Sequence, residues 1–333
     1  MNTLNDKGAF KKAFGLLVKT TPFLGLNIIV YGGFFLAAVM WLGIFGGIAL
    51  FFSSRIELLA IIFFLIAVAG PFAVLAFGKR YILYLIKGAH IAVLTKYLTE
   101  GEVPEGKSQI AYGREIVEHN FRDVSILFAL DKMIDRIIRR FTRRFVRLVD
   151  MLPLGGGASK LARWVSTIVN QSLSYIDESI LSYAIAKDGK NVWENARHGI
   201  ILYAQVYKPV LMTAIKVWFL GRAFYLALLI LFGIPGIILM LMFDTGWFQV
   251  ITIVGVFLLT SLVVRAVFDP FATAYTLVTY HQSIEGVEVN TEWDERLKSV
   301  SGTFRQITDK ARDFAGKTMP GDITSSEEVR TTS

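Results

Sequence analysis

Residues 22–52 read PFLGLNIIVYGGFFLAAVMWLGIFGGIALFF, without one charged side chain. A helix rises about 1.5 Å per residue, so roughly 20 apolar residues cross the hydrocarbon core of a bilayer. This run exceeds that length, with room to tilt or to bend at Gly32-Gly33 or Gly46-Gly47. Pro22 marks a turn into it. After the short connector Ser53-Ser54-Arg55 comes a second apolar run, at about 56–77. Its Gly70-Pro71 pair predicts a kink that a neighbouring helix must help satisfy. Third and fourth runs lie at about 217–243 and 247–267, joined by Asp244-Thr245-Gly246. Gly233-Ile234-Pro235-Gly236 is expected to break or bend the third. The fold class that follows is all-α: a polytopic membrane protein with four transmembrane helices in two hairpins.

Composition agrees. Hydrophobic residues make up 54% of the chain and charged ones 19%, against about a quarter charged in soluble domains. The net charge of +8 is concentrated beside the apolar runs. In a membrane protein that is a topology signal before it is a sign of nucleic acid, and no nucleic-acid partner is expected. Lys and Arg dominate the N-terminus, the centre and the segment after the fourth run, while the two hairpin tips carry almost none. Positive-inside logic therefore puts both termini and the centre in the cytoplasm of a plasma-membrane protein. No cleavable signal peptide is evident. The domains that result are a cytoplasmic amphipathic helix (1–22), a first hairpin (23–78), a cytoplasmic or interfacial helical region (79–212), a second hairpin (213–267), cytoplasmic amphipathic helices (268–315) and a disordered tail (316–333).

The centre contains the most polarised stretch, DRIIRRFTRRFVRLVDML from Asp135 to Leu152. Arg136, Arg139, Arg140, Arg143, Arg144 and Arg147 fall on one side of a helix. Ile134, Ile137, Ile138, Phe141, Phe145, Leu148, Val149 and Leu152 fall on the other. Such a helix is expected to lie at a bilayer surface, its apolar face in the acyl boundary and its guanidinium groups on anionic headgroups. Ser108 to Leu152 forms one long helix or two, ended by Pro153 and Gly155-Gly156-Gly157. A second amphipathic helix, about 158–187, lines up Leu161, Trp164, Val165, Ile168, Ser172, Ile176, Ile180 and Tyr183. Apart from the arginine helix, contact with lipid and packing in a cytoplasmic bundle are equally good readings of the central helices. Asn191-Val192-Trp193-Glu194 resembles a capping box. Near the C-terminus Trp293, Leu297, Val300, Phe304, Ile307, Ala311 and Phe314 follow an a/d heptad seam. The seam suits a coiled-coil partner, or, more economically, docking on the chain's own central helices.

The halves resemble each other. AHIAVLTKYLTEG from Ala89 aligns without a gap on AYTLVTYHQSIEG from Ala274; both stretches follow a two-span hairpin and both end in Glu-Gly. The order of elements predicts a parallel duplication about an axis along the membrane normal.

Chemistry-bearing motifs are sparse. The absence of cysteine removes disulfides and thiolate sites together. His90, His119, His198 and His281 are scattered, and no metal set, cofactor or nucleophile–base pair is expected. Gly155-Gly156-Gly157 lacks the Lys-Ser/Thr of a phosphate loop. Asp177-Glu178 is read as a salt-bridge partner of the arginine helix rather than an acid/base pair. Among groups near the spans, Arg222 can snorkel, Arg265 and Asp269 are spaced to pair, and Asn27 and Tyr31 are the polar groups early in the first run.

Gly189-Lys190-Asn191, Ala196-Arg197 and Ile200-Ile201-Leu202, preceded by Ile180-Leu181-Ser182-Tyr183-Ala184-Ile185, are similar to a stretch of the choline-transporter-like family. The resemblance covers about residues 180–285. That family has about ten spans rather than four, and its cation-binding aromatic cage maps onto no residue here. The resemblance implies solute transport. The expectation is thus a non-enzymatic, homo-oligomeric protein that moves a small solute or ion; the alternative is a membrane scaffold or remodelling protein built on basic interfacial helices.

Overall fold

The computed structural model describes residues 6–104, 106–121, 124–145, 159–187, 191–243 and 246–318. Every regular element among them is helical. Three helices, Thr21–Ser53, Val192–Met242 and Phe248–Ile284, are long and apolar enough to cross a membrane, and Glu57–Ala73 is a shorter apolar helix. By length and composition these apolar helices are compatible with a membrane protein. The chain divides into two compact units, Asn5–Ile116 with Ile215–Tyr275, and Val117–Ala214 with Thr276–Ser333.

The first of these, the apolar unit, opens with α1 (Asp6–Lys19) and α2 (Thr21–Ser53). The break falls at Thr20 rather than at Pro22. Pro22 sits in the first turn of α2, where its missing N–H costs nothing. α2 runs as one helix through both glycine pairs. It packs along α3 (Glu57–Thr99), which continues through Pro71 far beyond the apolar run. A proline leaves the carbonyl four residues back without its usual donor and crowds it. Beside that point the Trp41 indole N–H of α2 donates to the Ile66 carbonyl at 3.0 Å. That acceptor lies five residues before Pro71, so the bond ties α2 to α3 beside the proline without serving the Ala67 carbonyl that the proline leaves unserved. Indole and helix meet there because Gly70 has no side chain: a Cβ on it would lie 2.0 Å from Trp41 Nε1.

α4 (Gln109–Phe121) and α5 (Val124–Phe145) follow, and residues 122 and 123 between them lie outside the described residues. The predicted helix 158–187 is broken into α6 (Ser159–Ser172), a 3-10 turn (Leu173–Tyr175) and α7 (Ile176–Ala186). α8 (Val192–Met242) is two helices merged across a kink at Val206 (φ −112°, ψ 21°). The kink has a cause three residues on, since Pro209 cannot serve the Gln205 carbonyl. By contrast α8 runs unbroken through Gly233, Pro235 and Gly236. α9 (Gly246–Val263) leads into a π turn (Val264–Phe268) and then α10 (Asp269–Ile284). Pro270 sets the same problem for the Ala266 carbonyl, and the wider turn accommodates it.

The two aligned segments end alike. α3 closes at Glu100 before Gly101 (φ +87°), and α10 closes before Glu285 and Gly286 (φ +71°). Both glycines take the left-handed conformation that other residues resist. Burial runs in parallel too: residues 89–95 and 274–280 are buried throughout, and the next three positions in each segment are half-buried.

The remaining unit is a bundle of amphipathic helices around an aromatic core. α5 packs on α7 and on α11 (Thr291–Val300) and α12 (Gly302–Thr318). The continuous heptad helix is corrected here. Ser301 is extended, its hydroxyl accepts the Phe304 N–H, and the seam is split between two helices. The seam itself docks internally, as its more economical reading had it. Leu297, Phe304, Ile307 and Ala311 are buried, with Trp293, Val300 and Phe314 half-buried.

Candidate functional site

The arginine helix needs one correction and keeps one feature. Ile134, Ile137, Ile138 and Phe141 are buried, Phe141 among the rings of Tyr203, Tyr207 and Trp293 at 5.6–5.9 Å. The apolar stripe is therefore covered by protein, not by an acyl boundary. A three-and-four spacing says that a face leaves water, and a bundle satisfies it as well as lipid does. The opposite face stays open. Arg136, Arg140, Arg143 and Arg144 are exposed. Arg139 instead pairs with Asp135 at 2.8 Å and donates to the Asn170 carbonyl at 2.7 Å. Arg147, Leu148, Val149 and Leu152 lie outside the described residues, as do Gly155-Gly156-Gly157 and Gly189-Lys190 of the family-like segment.

In the same unit a polar clasp joins α8 to α11. The Arg197 guanidinium donates through Nε and Nη2 to both oxygens of Asp294, at 3.1 and 2.7 Å, and through Nη1 to Glu194 at 2.6 Å. Lys298 also reaches Asp294, at 2.7 Å. Burial alone would raise the Asp294 carboxyl, but the hydrogen bonds from Arg197 and Lys298 win and hold it below the usual carboxylate range. The His198 hydrogen bond, with Arg197 beside it, holds Glu194 low as well. Asn191 caps α8 as the sequence predicts, its Oδ1 accepting the Glu194 N–H, while its amide donates to the Ala311 carbonyl. The Glu194 carboxylate does not turn back to complete the capping box; it joins the clasp.

One pair escaped the sequence reading altogether. Ser182 Oγ and His281 Nε2 lie 2.9 Å apart across 99 residues. A serine–imidazole hydrogen bond is the first geometric requirement of nucleophilic catalysis. Here Ser182 is wholly buried, so no substrate reaches the hydroxyl, and the bond ties α7 to α10. No local spacing announces it. Asp177 and Glu178 are buried nearby in sequence, and Asp177 Oδ1 accepts the Glu178 backbone N–H.

In the apolar unit, ionisable groups gather at one place. Asp269, Arg265 and Lys87 lie near enough to Tyr31 for their charges to act on its hydroxyl through space. Tyr31 lies about three turns into α2, one turn beyond the buried Asn27. With Phe35 it packs against Ala38, Leu258 and Leu262. Arg265 belongs to the π turn, and Asp269 begins the helix after it. Charges beside an apolar helix are costly and mark sites of function. Single-turn π insertions recur at such sites. Arg222, expected to snorkel, is exposed with its guanidinium 5.3 Å from the Trp218 ring centroid. Among the described residues no group of three His, Cys, Asp or Glu side chains is placed to hold a metal ion.

No family model, no curated protein and no solved structure matches this chain.

Proposed function

We propose that the protein moves a small charged solute across a membrane as an oligomeric helical assembly. The reading rests on the Tyr31, Lys87, Arg265 and Asp269 cluster: ionisable groups of both signs at a π turn beside otherwise apolar helices. Their desolvation cost is offset most simply where a solute or water exchanges with them. Four spans in two hairpins, with both termini in the cytoplasm, form the frame, and a parallel duplication relates the hairpins. The matching burial profiles and left-handed glycines of 89–101 and 274–286 support that duplication. The test is flux in liposomes reconstituted with the purified chain. A small organic cation and a small anion are each expected to be tried, one of them passing above the protein-free leak and slowing several-fold in Asp269→Asn. Absence of flux for either solute sinks the transport reading.

A second reading has its own observation. The exposed Arg136, Arg140, Arg143 and Arg144 face suits anionic headgroups, each arginine contributing about 1 kcal/mol near a charged leaflet. Such a protein is a non-enzymatic scaffold. Anionic vesicles carrying it cluster or tubulate, and replacement of the four arginines by glutamine, or high salt, abolishes the effect.

A further inference from the structure

We infer that α1 is an interfacial membrane anchor, lying against a bilayer surface on the edge formed by Phe14 and Val18. One face of α1 is already used. Ala9, Ala13, Leu16 and the following Thr20 are buried at spacings of four, three and four. Phe10, at the border of this face, makes edge contacts with Phe271 and Tyr275, at 5.3 and 5.7 Å. Rotated by about 150° from the buried face lies a second stripe that α1 does not bury: Phe14 is 54% exposed and Val18 59%. Lys7, Lys11, Lys12 and Lys19 are exposed around it. An amphipathic helix with aromatic and branched residues on one edge and lysines along its rim is the pattern that settles at a headgroup–acyl boundary.

Chain connectivity names the occupant. Only Thr20 separates α1 from α2, which is long and apolar enough to span. The exposed stripe therefore begins within a few residues of where that helix enters lipid, and the surface nearest to it is the membrane. Hydrogen bonds hold the junction in place. Thr20 Oγ1 donates to the Leu16 carbonyl at 2.9 Å and accepts from His90 Nε2 at 3.0 Å. The His90 ring stacks on Phe23 at 4.9 Å. Burial pushes His90 down to about 3, so it stays neutral and the junction does not loosen at physiological pH. Gln109 Nε2 donates to the Lys19 carbonyl at 2.8 Å, closing the last turn of α1. α1 thus leaves its apolar edge in a fixed place rather than swinging freely.

The chain has no cysteine, so single-cysteine labelling is unambiguous. Phe14→Cys and Val18→Cys, with Lys12→Cys as the polar-face control, are labelled with an environment-sensitive fluorophore in the full-length protein. Each is reconstituted in vesicles of neutral lipid with about a third anionic lipid. The expected result is a blue shift at 14 and 18 relative to 12, with strong quenching by lipids that carry a quencher at about 5–10 Å depth. Water-like spectra at 14 and 18 overturn the inference. Blue-shifted spectra without lipid quenching overturn it too, because the stripe is then covered by a second copy or another protein. The readout is confined to α1, so it stands or falls apart from solute flux and from the arginine face.

Discussion

The two units dispose of apolar surface in opposite ways. In the bundle, α5 is polarised: Phe141 is 1% exposed while Arg140, its chain neighbour, faces out. In the apolar unit, α2, the first part of α3 (Glu57–Ala73), α9 and the part of α8 beyond Arg222 are apolar nearly all round, and large side chains such as Ile29, Leu58 and Leu231 point outward. Much of what lies inside is small or polar, Asn27, Ala38, Gly46 and Ala49 on α2 and Thr260 on α9, set among a few larger residues such as Leu42, Leu258 and Leu262. Where lipid is as apolar as leucine, burying leucine gains little. Close approach of backbones and internal hydrogen bonds must hold the helices instead. One composition of side chains therefore follows two rules of packing, and each rule can be broken separately.

The sharpest break is Phe141→Ala. It removes a ring from the bundle core against Tyr203, Tyr207 and Trp293, and about 3–5 kcal/mol of destabilisation is expected. A large fall in the thermal midpoint of the detergent-solubilised chain checks it. Next is Asp294→Ala, which strips the buried end of the clasp. Arg197 keeps Glu194, so the loss is expected near 2 kcal/mol rather than the full cost of an orphaned charge. The same clasp has a pH signature. Asp294 is held low, so its contribution is whole above the ordinary carboxylate value near 4 and fades as pH falls through the lower, folded-state value. Melting curves taken from about pH 6 down to about pH 3 are expected to show this acid loss in the wild type and less of it in Asp294→Asn. In the apolar unit the sensitive site is Gly70. Gly70→Ala drives a methyl into the Trp41 indole and is expected to cost about 1–3 kcal/mol. Blue-shift loss in Trp fluorescence accompanies it if the indole is displaced. The smallest effect belongs to Leu231→Ala on the outward face, within about 0.5 kcal/mol in lipid. A loss as large as that at Phe141 contradicts the idea that this face meets lipid.

Periodicity was a good guide to which residues leave water and a poor one to what receives them. Ile134, Ile137, Ile138 and Phe141 were legible as one stripe, but the same stripe fits a bilayer or a bundle, and only the positions of Tyr203 and Trp293 decide. The heptad seam identified Leu297, Phe304, Ile307 and Ala311, because spacing survives a break that keeps the same face inward. The break at Ser301 was written in Ser301-Gly302, a capping residue before a weak helix former, and was masked by the regularity around it. Prolines were partly legible: Pro71 stays inside α3, with Trp41 of α2 bonded beside it, while Pro209 and Pro270 disturb the helix upstream, around the carbonyls four residues back that they cannot serve. The clasp, the Ser182–His281 bond and the charges around Tyr31 join residues far apart in sequence. No local pattern encodes such meetings.

The Thr20–His90 bond also has a meaning in time. The chain emerges from the ribosome N-terminus first, and α1 and α2 are complete long before residue 90 exists. Until then the Thr20 hydroxyl lacks its imidazole donor, and the Lys19 carbonyl waits longer still, for Gln109. The N-terminal helix is thus made early and moored late. Its final seat becomes a report that both of the first apolar helices, and the turn beyond them, have already been delivered.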